Sequence, residues 1–272
     1  TSSSDLPLLT GKPPDAADCY LLSFIDGPIP TFVKSYVFGS DGNDEGLSVS
    51  YDKYQQRVCF TGKAANNTIK PTAYLQGDRF GGFVGTIDDN FNFIQFLTII
   101  GVGVVPTGCV ARTNGSVYVA GYVSGQLPVS SNAFQSTNKG GLDGMMIAVD
   151  ITGNFLRYGT YIGGTSSDYA VANVKLLEDR ECSLGILFGI TTHSGNYPST
   201  RDSYQPDKLN GGDDQPALAM FTIPKQKDIL FHGQHQCGED TFKLVFPCLQ
   251  PDEVTWLFSD GSQPVINKFQ VK

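Results

Sequence analysis

Long helical patterns are missing from this sequence, which removes helix bundles and crossover α/β folds from the architectures it can be expected to adopt. An unbroken apolar run long enough to span a membrane as a helix is missing too. The uncharged run Phe91 to Val110 is broken by Gly101, Gly103, Pro106 and Gly108 and reads as paired strands. Basic charge is short. With 19 Lys and Arg against 27 Asp and Glu the net charge is −8, which argues against nucleic acid as a partner and against membrane insertion or binding to an anionic membrane. Histidine is scarce, and the His232-x-x-His235 pair lacks the glutamate and third ligand that a zinc site needs. No G-x-S-x-G elbow, phosphate-cradling glycine loop or nucleophile–base arrangement is present. The neighbouring acids Asp213 with Asp214, and Asp252 with Glu253, fall in predicted turns, where a solvated carboxylate has no cause to titrate as a catalytic group. The chain is therefore expected to be non-enzymatic, with no catalytic residue, no cofactor and no resident metal.

Glycine and proline are abundant instead. The 31 Gly and 15 Pro are spread along 272 residues that are 40% hydrophobic, a composition suited to many short strands joined by tight turns around a real core. Six cysteines, Cys19, Cys59, Cys109, Cys182, Cys237 and Cys248, contain no C-x-x-C pair. Their even number points to disulfides, with connectivity open among the 15 possible pairings. Two sequons, at Asn66 and Asn114, lie in turn-like stretches and mark candidate glycosylation sites. Cysteines and sequons together point outside the cell or to its surface. The cluster Asp41, Asn43, Asp44 and Glu45 carries oxygen ligands of the kind Ca²⁺ takes. However, Asp44, Asp168 and Asp240 recur at one repeat position, where an aspartate capping a turn is sufficient reason.

The chain repeats itself. Copy one spans 32–95, copy two 96–155 and copy three 156–228. Each opens with a strand ending at glycine: SYVFGSDGND (35–44), FLTIIGVG (96–103) and GTYIGGTSSD (159–168). A central strand follows, VCFTG (58–62), VYVAG (117–121) or ILFG (186–189), so that Gly62, Gly121 and Gly189 are expected at equivalent strand ends. A Pro-bearing segment with an aromatic and a glutamine comes next, then a Gly/Asp turn and a last apolar strand. About four short strands per copy suit a propeller blade, and a single such unit cannot bury both its faces alone.

These residues resemble the SBBP-type β-propeller repeats of bacterial surface and secreted proteins, whose pattern runs Tyr-x-Gly-Gly…Asp, VYVTG, FP…AFQ and D-x-F-V. Copy two, with VYVAG, LPVSSNAFQ and MMIAVD, is the close match; copies one and three are degraded, and copy two lacks the acidic turn near Pro106. The resemblance implies a fold and a surface location and no reaction. A weaker likeness joins VTWLFSDGS (254–262) to PKD-type immunoglobulin-like domains, so 238–272 could alternatively be a truncated module of that kind.

The two ends complement one another. DCYLLSFIDG (18–27) aligns with DGMMIAVDITG (143–153), so residues 1–31 form an N-terminal arm and the last half of a repeat. FHGQHQCGED (231–240) aligns with TYIGGTSSD, so residues 229–272 form the first half. The expectation is an all-β propeller of four blades, one of them split between the termini. Split ends can close one ring or exchange between chains, and exchange gives a fibre. The leading reading is an extracellular structural subunit that assembles with itself into a filament or surface layer. Leu6, Leu8, Leu9 and Trp256 are the candidate junction residues. The alternative is a glycan- or protein-binding propeller, for which the 18 Phe and 12 Tyr could supply exposed platforms.

Overall fold

The computed structural model describes residues 10–11, 17–52, 55–111, 116–150, 152–170, 174–178, 183–200, 214–224, 230–236, 239–245, 255–256, 265–266 and 270–271. Every regular element among them is a strand, so the protein is all-β in its described part, and no helix there is long and apolar enough to cross a membrane. The chain divides into two compact units, Thr1–Lys175 with Leu187–Ala219, and Leu176–Ile186 with Met220–Lys272.

In the first unit the sheets follow the chain. The first sheet joins β1 (Thr10–Gly11), β2 (Cys19–Ile25) and β3 (Thr31–Phe38) in the order β1-β3-β2. The second contains β4 (Glu45–Asp52), β5 (Arg57–Ala64), β6 (Ala73–Tyr74), β7 (Gly81–Asp88) and β8 (Ile94–Gly101) in the order β4-β5-β7-β8-β6. The third is a four-stranded antiparallel meander of β9 (Val104–Ala111), β10 (Ser116–Val123), β11 (Asp143–Asp150) and β12 (Leu156–Ile162). β13 (Asp168–Ala170) pairs with the later part of β15 (Ser183–Thr192) in this unit, whereas most of β14 (Lys175–Glu178), the start of β15 and the end of β16 (Gln215–Pro224) belong to the second. The second unit holds the hairpin β17 (Leu230–Gln236) and β18 (Glu239–Val245), the short pair β19 (Thr255–Trp256) and β20 (Val265–Ile266), and β21 (Gln270–Val271), which pairs β18.

Sequence pattern tracks burial strand by strand. SVYVAGYV of β10 and DGMMIAVD of β11 read as near-continuous apolar runs, and β11 is buried along its whole length, as a strand covered on both faces should be. EGLSVSYD of β4 alternates instead and turns Val49 and Tyr51 outward. Two core layers separate the first three sheets. Cys19 and Phe38 meet Phe60, Phe83, Ile87, Leu97 and Ile99 between the first and second. Cys59, Val84 and Phe96 meet Cys109, Val119, Met145 and Ile147 between the second and third.

The sheet frame is offset from the repeat frame by one strand. FLTIIGVG and GTYIGGTSSD, expected to open copies two and three, supply β8 and β12, which pair back onto β7 and β11 and close the preceding sheets. A sequence period can be cut anywhere, whereas hydrogen bonds cut a sheet at one place. Gly62 and Gly121 fall at matching places in β5 and β10, two residues inside the strand ends at which they were expected. A Cβ on Gly62 would meet the Glu45 carbonyl and the Phe83 ring, and one on Gly121 would meet the Val105 carbonyl and Pro106. Both lie where the partner strand slips register, between Gly46 and Ser48 and between Ala120 and Tyr122. Close backbone approach at a bulge admits only glycine.

Candidate assembly edge

Three hairpins of the first unit are built alike. Tyr20 pairs with Val37 in β2–β3, Phe83 with Ile99 in β7–β8, and Met145 with Tyr161 in β11–β12. A Pro-bearing segment runs beside the last strand of each. β1 lies parallel on Tyr36 and Val37, and β6 lies parallel on Thr98 and Ile99. In the third, Ser130 N donates to Gly159 O and Tyr161 N donates to Gln135 O.

The hairpins differ in what covers them. β7 has β5 beside it and β11 has β10, but β2, among the described residues, has β3 on one side and no strand on the other. Ile147 and Val149 of β11 and Ile87 of β7 are 0% exposed, whereas Leu22 and Phe24, at the corresponding places in β2, are 45% and 53% exposed. Ile25 and Ile29 beyond them are exposed as well. β2 thus has the composition of a core strand and the surroundings of an edge, an arrangement that invites strand pairing. In the second unit β17 and β18 form a hairpin in unbroken register from Leu230↔Val245 to Gln236↔Glu239.

Aspartates hold the turns between sheets. At Gly39 the side chains of Asp18 and Asp44 crowd the Cα, and at Gly163 those of Asp143 and Asp168 do, so that neither place has room for a Cβ. Asp44 accepts hydrogen bonds from Ser40 N (2.5 Å), Ser40 Oγ (2.8 Å) and Ala65 N (2.8 Å). Asp168 likewise accepts from Gly164 N and Ser194 Oγ, both at 2.7 Å. The recurring acid is a turn cap at both places. Asp143 accepts from Gln135 Nε2 (2.7 Å), Lys139 N (2.9 Å) and Gly140 N (3.2 Å). Burial pushes its carboxyl above the usual range and the nearby Asp168 adds to this, while those hydrogen bonds oppose it. At the junction between the second and third sheets, Gly81 and Val104 open the strands that Asp143 and Asp168 open elsewhere, so both acids of the pair are gone together.

Asp41, Asn43, Asp44 and Glu45 do not converge on a common point. Asn43 Oδ1 accepts from Ala17 N (3.3 Å), Asp41 N donates to Thr68 Oγ1 (2.6 Å), and Glu45 pairs with Lys63 Nζ (2.9 Å). Among the described residues no group of three or more His, Cys, Asp or Glu is placed to hold a metal. His193 approaches Ser167 O through Nδ1 (3.2 Å) and contacts Asp214 through Nε2.

The cysteines divide into two sets. Cys19, Cys59 and Cys109 are buried free thiols on β2, β5 and β9, so the bridges expected of them are not formed in this structure. The reason is visible for Cys19, which lies in the other core layer from Cys59 and Cys109. Burial pushes the Cys19 thiol up to about 12, with Asp44 adding to it. Cys182, Cys237 and Cys248 lie outside the described residues, as do Asn114, Leu6, Leu8 and Leu9. Asn66 sits half-buried at a turn, its Oδ1 accepting from Thr68 N (3.0 Å) and Thr68 Oγ1 (2.6 Å). Trp256 pairs with Val265 in β19–β20.

A groove of about 750 Å³ opens between the two Pro-bearing segments, lined by Leu75, Gln76, Gln126, Leu127, Asn138 and Tyr161 among others. Among the described residues its one aromatic is Tyr161, which is 5% exposed and whose hydroxyl bonds Leu127 N (2.7 Å) and Gly125 O (3.2 Å). The chain matches no family model, and none of the curated proteins matches it significantly. The likeness to SBBP-type repeats rests on the residues quoted for it alone.

Two features escaped the sequence. The exposure of Leu22, Phe24, Ile25 and Ile29 leaves no local trace, since LLSFI reads as any core strand. The acid pairs could have been found by asking which repeat positions gain and lose aspartate together.

Proposed function

We propose that this protein is a non-enzymatic structural subunit that assembles with copies of itself, outside the cell, by exchange of terminal strands. The observation that carries the reading is the open side of β2, where a strand of core composition has a partner on one side only among the described residues. The hairpin β17–β18 offers two antiparallel strands of seven residues each, equal in length to the seven of β2. Laid beside β2, it would extend the first sheet from three strands to five, the strand number of the second sheet, in which β6 lies parallel on β8 as β1 does on β3. The finished object in this reading is a four-bladed propeller with one blade shared between the chain's two ends. Supplied by the same chain, the hairpin closes a ring; supplied by the next, it makes a head-to-tail contact that does not close, and a filament or layer grows. Leu6, Leu8 and Leu9 just ahead of β1, with Trp256, belong at that junction.

The polar residues that recur from copy to copy cap turns, which supports a scaffold over a catalyst. Recognition of glycans in the groove has less support, because the hydroxyl of Tyr161 is already spent on the backbone. The test is the mass of the full-length protein by sedimentation and electron microscopy as concentration rises. Polymers that disappear on Phe24→Lys or on deletion of residues 1–17, with the β-rich circular dichroism retained, support exchange at β2. A wild-type chain that stays monomeric at every concentration, or a truncated one that still polymerises, overturns it.

A further inference from the structure

We propose that Cys59 and Cys109 form a paired oxidation site whose disulfide ties the second sheet to the third. Register and packing bring them together. Cys59 on β5 is the cross-strand partner of Ser50 on β4, and Thr61 is the partner of Ser48. Side chains paired this way stand on one face with Cβ atoms about 4.5–5.5 Å apart. The face carrying Ser48, Ser50, Cys59 and Thr61 looks onto β9 of the third sheet, where Thr61 Oγ1 donates to Pro106 O (2.9 Å). Cys109 Sγ rests on that same face, 4.0 Å from both Ser50 Oγ and Ser48 Oγ. The two thiols share one core layer, in which Cys59 is 0% and Cys109 3% exposed. Cys19 belongs to the layer on the other side of the second sheet and is no competitor.

The surroundings also say when the bond would close. Burial raises the Cys59 thiol, with the neighbouring Cys109 adding to it. Burial pushes Cys109 up to about 11 although hydroxyls of Ser48, Ser50 and Thr61 favour its thiolate. Thiolate, the reactive form, is therefore scarce once the layer is sealed. Oxidation belongs to folding, as the two sheets come together and before the layer between them is sealed. The oxidant is a small-molecule disulfide such as glutathione disulfide. One cysteine thiolate attacks a glutathione sulfur and releases the first glutathione thiolate. The second cysteine then displaces the other glutathione, so the two protein thiols give up two protons and two electrons and the oxidant becomes two glutathione thiols. The new bond closes a loop of about fifty residues, long enough to restrict the unfolded chain strongly.

The experiment refolds the full chain in a glutathione disulfide and glutathione buffer, blocks remaining thiols with iodoacetamide, and maps peptides by mass. The expected result is one linked pair containing Cys59 and Cys109, two hydrogens lighter than the reduced pair and abolished by reductant. The folded, reduced protein treated with the same oxidant should oxidise far more slowly. Reductant should lower the Tm of the oxidised wild type by several degrees and leave Cys59→Ser/Cys109→Ser unmoved by that amount. Recovery of both residues alkylated, linkage of either to Cys182, Cys237 or Cys248, or an equal effect of reductant on the double variant would each overturn the proposal. The peptide map is read on wild-type protein, so the result does not depend on the variant folding.

Discussion

The first and third sheets start from the same hairpin plan and end in opposite environments. In the third, β9 and β10 continue the sheet beside β11 and the second sheet packs on its face, so that Ile147 and Val149 are 0% exposed. In the first, β2–β3 carries the same pairing and the same accompanying segment, yet Leu22 and Phe24 stay about half exposed. Their strands do not differ in propensity or pattern. They differ in their neighbours, both the strands beside the hairpin and the sheet packed on its face, so the exposure of β2 is a property of its surroundings and not of the hairpin.

Truncating equivalent positions should break the symmetry most visibly. Ile147→Ala empties a site packed on all sides and is expected to cost about 2–5 kcal/mol in denaturant unfolding. Leu22→Ala in the dissociated chain removes a half-exposed side chain and should cost no more than about 1 kcal/mol. In the self-associated form proposed above the gap should narrow, because contacts of the added copy then reach Leu22 and its loss should weaken self-association. Equal costs for the two variants in the dissociated chain would mean that β2 is already covered.

How much of this was legible in residues depends on whether the cause is local. The all-β class, the short strands and the matched glycines Gly62 and Gly121 follow from local pattern and steric need. The likeness of DCYLLSFIDG to DGMMIAVDITG was visible too, and the hairpins these stretches open, β2–β3 and β11–β12, share one pairing plan. The sheet boundaries were not, because β8 and β12 sit at the seam of a period that sequence can cut on either side. The thiol state of Cys19, Cys59 and Cys109 was not legible either: an even count of cysteines invites pairing, but which layer each one occupies is decided by long-range packing.

Turn caps should restore the symmetry that the core variants break. Asp44 and Asp168 each accept two or more hydrogen bonds at short distance and are each buried, at 4% and 0% exposure. Asp44→Ala and Asp168→Ala each orphan those donors, at an expected cost of about 1–3 kcal/mol apiece. Similar losses of Tm in the two variants would show that the repeat position does the same work beside a half-built sheet as beside a complete one. A loss confined to Asp168→Ala would assign the cap's value to the covered sheet alone.

The smallest effect expected lies inside the complete sheet, at the two ends of β11. Burial and Asp168 hold the Asp143 carboxyl above its usual range, so it binds its proton more tightly folded than unfolded. Its contribution is full below the unfolded value and is lost as pH rises through the raised folded one. Asp150 is the reverse. Burial works to raise it, but hydrogen bonds from Thr152 Oγ1 (2.5 Å), Phe155 N (2.8 Å) and Thr152 N (3.2 Å), with the charge of Arg157, hold it below the usual range. Its contribution is present above the unfolded value and is lost as pH falls through the lowered folded one. In thermal melts from about pH 3 to pH 7, Asp143→Asn should therefore gain on wild type as pH rises, while Asp150→Asn should fall behind it. Each divergence is expected to amount to a few degrees of Tm at most. A difference from wild type that stays constant with pH, in either variant, would mean that the carboxyl titrates alike in the folded and unfolded chain and that its hydrogen bonds act only as structure.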